Sequence, residues 1–253
     1  MLNIFVFIPK ATAFFIHLLI GLFVAAGLRL VLGKQWYARP VGRFIKLVWV
    51  KILARILNLK IRRHGVISDK PVVFVANHIS WLDVIALGSD RGCVFVAKNS
   101  VRKWPLIGTV ASLSGTLFIN REDKKDVAKT LARSNQLIAK GVSLAFFPEA
   151  TTTNGKILKP FKTSLYQTAI NSGSNVQAIA IRYPIRSNKE SPAPYIDDET
   201  FLTHLLKVLA SPRIDVTLTY CKPIVTDVDY SRKQLAEATQ MQVAEILALA
   251  ETL

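Results

Sequence analysis

PVVFVANHISWLDVIAL, residues 71–87, contains a strand, a corner and the start of a helix in one short stretch. The apolar run over 71–77 has the length and β-branched content of a strand buried on both faces. A helix is predicted over 81–88. Ser80 and Asp83 introduce it in the S-x-x-D form of a capping box, where the acid satisfies an orphan amide of the first turn. A strand feeding directly into a helix is the unit of an α/β sheet, and in open sheets ligands gather beyond the strand C-termini. Asn77 and His78 stand at that edge. Capping accounts for Ser80 and Asp83 but leaves the Asn-His pair unexplained.

The same alternation continues downstream. Strands are predicted at 93–97, 116–120, 142–147, 176–183 and 214–220. Helices are predicted at 105–113, 124–140 (closed by Gly141), 161–171 (closed by Gly173), 199–210 and 231–252. Asp197-Asp198 and Ser231 supply polar residues ahead of the last two helices. SNKESPAP (187–194) reads as a surface loop. The fold class is therefore α/β, a mixed central sheet flanked by helices.

Upstream the texture differs. Ala11 to Leu28 carries no charge and is long enough to span a bilayer core or to enter it at a tilt. A cleaved signal peptide fits poorly, because a single Lys precedes the apolar stretch and a basic cluster follows it. Residues 36–65 read as a basic amphipathic helix. Arg39, Arg43, Lys46, Lys51 and Arg55 lie on one half, and Ile45, Trp49, Ile52, Leu53 and Ile56 on the other. This pattern suits a lipid headgroup layer, with an ordinary helix packed on the domain as the alternative. The division drawn from this is a membrane segment with its basic helix over 1–63 and a folded domain over 64–253.

The net charge is +16, and the first 68 residues hold eleven Lys/Arg with no Asp or Glu. Basic charge beside an apolar span points to anionic membrane lipids and a cytoplasmic position, not to nucleic acid. Cys93 and Cys221 lie in apolar strand contexts without metal or redox spacing, so neither a metal nor a cofactor is expected.

Of the four histidines, His17 lies in the apolar span and is expected to pack there. His64 belongs to the basic cluster and His204 to a helix face. Only His78 combines a strand end, a nearby carboxylate and a following helix. A neutral His can take a proton from an alcohol, and an Asp on its other nitrogen fixes the tautomer. G-x-S-x-G, H-E-x-x-H, P-loop and G-x-G-x-x-G patterns are absent. A His-Asp pair without an enzyme nucleophile points to a substrate hydroxyl as the attacking group.

NHISWLD (77–83) resembles the N-H-x4-D box of the glycerolipid acyltransferases, and three more blocks follow in that family's order. SGTLFINR (114–121) is similar to the second, with Gly115, Phe118 and Arg121 in matching places. FFPEATTTNG (146–155) resembles the third, usually F-P-E-G-T-R-S, and VQAIAIRY (176–183) the fourth, with Ala178 where Pro is common. AKNSVRKWPLIG (97–108) and KPFKTSL (159–165) are similar to connecting segments. By this resemblance His78 is the general base and Asp83 its orienting partner. Asn77, Gly115, Phe118, Arg121, Pro148, Glu149 and Thr152 belong to the substrate site. Arg121 is the candidate for the acceptor's phosphate, against the alternative of a surface pair with Glu122 or Asp123. Lys98 and Lys162 either add positive field or are solvated. Backbone amides beside the box are expected to face the oxyanion.

The acyl donor implied is acyl-CoA or acyl carrier protein, and the acceptor a lysolipid, with lysophosphatidic acid first. The chain departs from the family at Ala150 (Gly) and Thr152 (Arg). The lost Arg removes a phosphate-pairing cation and keeps open lyso-ornithine lipid as acceptor. A non-catalytic lipid-binding protein and a lipid hydrolase are the rival functions.

Overall fold

The computed structural model describes residues 4–184, 191–196, 199–226 and 230–249. Seven strands make one sheet: β1 (Leu59–His64), β2 (Val73–Ala76), β3 (Val94–Lys98), β4 (Leu117–Ile119), β5 (Leu144–Phe146), β6 (Val176–Arg182) and β7 (Ile214–Tyr220). Their spatial order is β1-β7-β6-β2-β5-β3-β4. From β6 to β4 every pairing is parallel, whereas β7 runs antiparallel to β6 and β1 parallel to β7. Five strands therefore end on one edge. The sheet is mixed, as expected.

Both faces are covered, which is why the strands read as apolar runs. On β2, Phe74 and Ala76 face a core built with α1 (Ile4–Leu32), α2 (Pro40–Ile56), α3 (Leu82–Asp90) and α7 (Phe201–Ala210). Val73 and Val75 face the other core, with α5 (Lys124–Ala139), α6 (Gln167–Ser172) and α8 (Arg232–Leu249). The capping chemistry is local. Asp123 accepts from Lys125 N at α5, Thr200 from Thr203 N at α7, and Ser231 exchanges hydrogen bonds with Gln234 at α8. The acidic pair Asp197-Asp198 and residues 187–190 of the expected loop lie outside the described residues.

α1 is long and apolar enough to cross a membrane. Yet Phe14, His17, Leu18, Gly21 and Ala25 are buried against the domain, so the helix lies along the fold. Its lysine has a structural reason: Lys10 Nζ donates to Leu57 O (3.1 Å), Val208 O (3.2 Å) and Ser211 O (2.7 Å), collecting orphan carbonyls at the ends of α2 and α7. His17 is a packing residue, stacked on Trp49 at 4.7 Å with its Nε2 donating to Trp49 O. The outward face stays apolar, with Phe5 and Phe23 strongly exposed.

Three expectations are corrected. The basic helix over 36–65 ends at Ile56. Asn58 turns the chain through a left-handed conformation (φ 54°), and Leu59–His64 then leaves as a strand paired to β7. The division between residues 63 and 64 thus falls inside a strand of the sheet. The helix expected over 161–171 is regular only from Gln167, because Phe161 N is tied to Gln240 Oε1 and Lys162 N to Pro148 O.

The third correction concerns Gly115, which the resemblance places in the substrate site. It follows α4 (Ile107–Leu113) with φ 89°, and a Cβ there would run into the ring of buried Tyr37. Gly115 is what lets residues 36–38 pack on the α4–β4 turn. Gly115→Ala is expected to cost about 2 kcal/mol from the left-handed backbone and the forced contact. Thermal unfolding in detergent checks it: a lower Tm with an unchanged acceptor KM fits the packing role, and an unchanged Tm with a raised KM contradicts it.

Candidate active site

The parallel strands deliver their C-terminal residues to one edge. β2 runs into Asn77 and His78, β3 ends on Lys98, β4 leads to Arg121, β5 to Phe147, Pro148 and Glu149, and β6 to Tyr183. Asn77 locks the register there. Its side chain donates to Ile181 O (2.9 Å) and accepts from Ile181 N (2.7 Å), joining β2 to β6 beyond their last ladder bond.

His78 and Asp83 meet. His78 Nδ1–H donates to Asp83 Oδ2 at 2.8 Å. The same oxygen accepts from the amides of Ile79 (2.8 Å) and Ser80 (2.9 Å). Capping and pairing are therefore performed by one carboxylate at the start of α3, where the helix dipole also favours it. Asp83 is fully buried, and the His78 side chain keeps 19 % exposure. The imidazole lies flat on Phe147, ring centroids 3.9 Å apart.

Glu149 braces the corner from behind. Its Oε1 accepts from His78 N (2.7 Å) and its Oε2 from Lys159 N (2.9 Å). Burial pushes this carboxyl up from its ordinary range, and the two amides partly offset the shift. The amides of His78, Ile79 and Ser80 are committed to Glu149 and Asp83, so none of the three is aimed at an oxyanion.

A cleft of about 630 Å3 opens in front of His78. Arg121 and Thr152 line it with His78, as do Lys98 and Lys162, with aromatic walls from Trp81, Trp104, Phe147 and Tyr195. Among the described residues Arg121 makes no ion pair. Its guanidinium donates to Phe147 O at 3.4 Å, and Asp123 is engaged at the α5 cap. The surface-pair alternative for Arg121 is thereby set aside. Burial lowers its pKa, the cost of holding a cation in a partly closed cleft.

The remaining predicted residues do not line the cleft. Asn77, Asp83, Pro148 and Glu149 stand behind it as supports, Pro148 accepting Lys162 N at 3.0 Å. Phe118 lies on β4 with the Arg102 guanidinium 5.9 Å from its ring centroid, and Gly115 lies under Tyr37.

Thr152 has its own task. Its hydroxyl donates to Tyr195 O, and Tyr195 N donates to Ile79 O (3.0 Å), which clips residues 191–196 across the cleft. His204, buried on α7, holds the same segment. It accepts from Trp81 Nε1–H at Nδ1 (2.9 Å) and donates from Nε2 to Ala193 O and Pro194 O. Nothing local in the sequence marks Tyr195, because its partners lie 43 and 116 positions upstream. Ala150 explains the family's glycine at its position: φ is 64° and its amide closes the turn onto Phe147 O, so alanine here bears a strained backbone.

Comparison with known proteins identifies the family. Residues 58–182 match the family described as Acyltransferase. The chain is 36% identical over 206 residues to a lyso-ornithine lipid O-acyltransferase of Pseudomonas aeruginosa, covering 81% of this chain and 78% of that one. It is 31% identical over 164 residues to a 1-acyl-sn-glycerol-3-phosphate acyltransferase of Neisseria gonorrhoeae, covering 65% and 64%. The crystal structure of the LPA acyltransferase PlsC from Thermotoga maritima shares the fold, with a TM-score of 0.61 at 18% identity over 96% of this chain and 98% of that one. The chain belongs to the acyltransferase family that includes the 1-acyl-sn-glycerol-3-phosphate and lyso-ornithine lipid acyltransferases.

Proposed function

We propose that this membrane-associated acyltransferase esterifies the free hydroxyl of a lysolipid with an anionic headgroup, with lysophosphatidic acid as the acceptor that yields phosphatidic acid. The observation that carries the acceptor is Arg121, which makes no ion pair among the described residues and lines the cleft of His78 together with Lys98 and Lys162. A guanidinium presents the fork that a phosphate fits, and two ammonium groups add field.

In this reading the acceptor hydroxyl gives its proton to His78 Nε2 as its oxygen attacks the thioester carbonyl. Asp83 holds the imidazolium that forms. The tetrahedral intermediate then expels the thiolate, which recovers the proton from His78 and leaves as a thiol, with the ester as the other product. The donor is acyl-CoA or acyl carrier protein, and no metal or further cofactor enters. The apolar outer face of α1 and the exposed Phe44 and Ile52 of α2 enter the leaflet, and the basic N-terminal quarter keeps the cleft on the cytoplasmic side of the inner membrane. There a lysolipid reaches His78 by lateral diffusion.

Lyso-ornithine lipid is the second reading. It is favoured by Thr152, which stands where a second arginine would serve a phosphomonoester and spends its hydroxyl on Tyr195. It is favoured also by the 36% identity to the Pseudomonas enzyme. The headgroup there offers Arg121 a carboxylate.

Two variants and two acceptors test this. His78→Ala is expected to lower kcat about 1,000-fold with either acceptor, the range of a lost general base. Retained activity would refute the mechanism. Arg121→Ala is expected to raise the acceptor KM by about 10-fold or more, as for a lost charged hydrogen bond, and to leave the donor KM unchanged. Turnover of wild type on lysophosphatidic acid at a tenth or less of its rate on lyso-ornithine lipid would select the second reading.

A further inference from the structure

Asp83 has no access to solvent, and four donors converge on it. Three share Oδ2: His78 Nδ1, Ile79 N and Ser80 N. The other oxygen, Oδ1, has a different partner, the phenol of Tyr183, which donates to it at 2.7 Å. Tyr183 is buried and follows the last residue of β6, 100 positions from Asp83. It reaches the start of α3 because Asn77 pins β6 to β2 at Ile181, two residues earlier. Burial and the charge of Asp83 both raise the phenol's pKa well above its ordinary value, so the group stays an O–H donor across the working range.

We propose that Tyr183 is a positioning residue of the acyl-transfer reaction, fixing the plane of the Asp83 carboxylate so that Oδ2 stays on His78 Nδ1 and moderating its hold on the imidazolium. Two physical reasons support this. A buried carboxylate oxygen without a donor is costly, so Oδ1 without Tyr183 would rotate toward another donor or draw in water. A fourth donor also withdraws negative charge from the carboxylate. With the phenol hydroxyl removed, Asp83 holds a protonated His78 more strongly, and more of the enzyme is in the form that cannot accept the substrate proton. The other titratable or charged groups around the pair are Glu149, which binds the His78 amide, the cleft cations Lys98, Arg121 and Lys162, and His204 behind Trp81. Among the described residues none of these touches the Asp83 carboxylate.

This inference rests on the reading of His78 as the general base, and the experiment separates the two. Wild type, Tyr183→Phe and His78→Ala are assayed in detergent micelles across pH 5–9 with lysophosphatidic acid, lyso-ornithine lipid and an acyl-CoA. Tyr183→Phe is expected to lower kcat about 10-fold, the size of one hydrogen bond to a charged group, with both KM values within about 2-fold of wild type. The acidic limb of its kcat/KM profile is expected to move up by about half a pH unit or more. Thermal unfolding of the same variant controls for folding. A wild-type profile, or a loss of rate with an unmoved limb, overturns the positioning role while an inactive His78→Ala leaves the base intact. An active His78→Ala overturns the base itself.

Discussion

The carboxylate of Asp83 is one group on which three levels of structure converge. It caps α3, it fixes the imidazole of His78, and it receives the phenol that closes β6 over β2. A buried charge is tolerable only when fully hydrogen-bonded, and here four donors are supplied by a strand-to-helix corner and a neighbouring strand. Remove any of them and either the others rearrange or water must enter, because the group has no solvent exposure of its own. The cost of burying that charge is therefore also what makes the geometry of His78 rigid.

The sheet makes this possible. Five parallel strands place the ends of β2, β3, β4, β5 and β6 on one edge, so residues far apart in the chain arrive at one cleft. Around the reacting pair the supports form a closed set. Glu149 holds the backbone of His78, Asn77 holds the strand register, and Phe147 bears the flat of the imidazole. The cleft in front combines aromatic walls with three cations, a surface suited to an amphiphile whose anionic head must stay while its hydroxyl reacts.

Much of this was legible because it is local or repetitive. Six strands appear as apolar runs since both faces of the sheet are covered, and His78 and Asp83 can be paired because they stand only five positions apart. β1 is missed for a physical reason: LKIRRH carries three basic residues, only Leu59 is buried, and a strand at the sheet's edge lacks the apolar signature of its neighbours. Gly115 reads as a substrate-site residue because its contact, Tyr37, lies 78 positions upstream. Thr152 and Tyr183 are visible as residues, yet their partners come from a crossing segment and a distant helix start. Long-range polar contacts leave no periodicity to read.

The central claim is that Asp83 sets the tautomer of His78, protonated at Nδ1 with Nε2 bare toward the substrate. Nitrogen-15 spectra of histidine-labelled protein in micelles test it directly, and His204 supplies an internal control. There the indole of Trp81 donates to Nδ1, so the opposite tautomer is required. The account predicts an Nδ1–H, Nε2-bare signal for His78, identified by its loss in His78→Ala, and an Nε2–H signal for His204. A His78 ring protonated at Nε2 and bare at Nδ1 would contradict it.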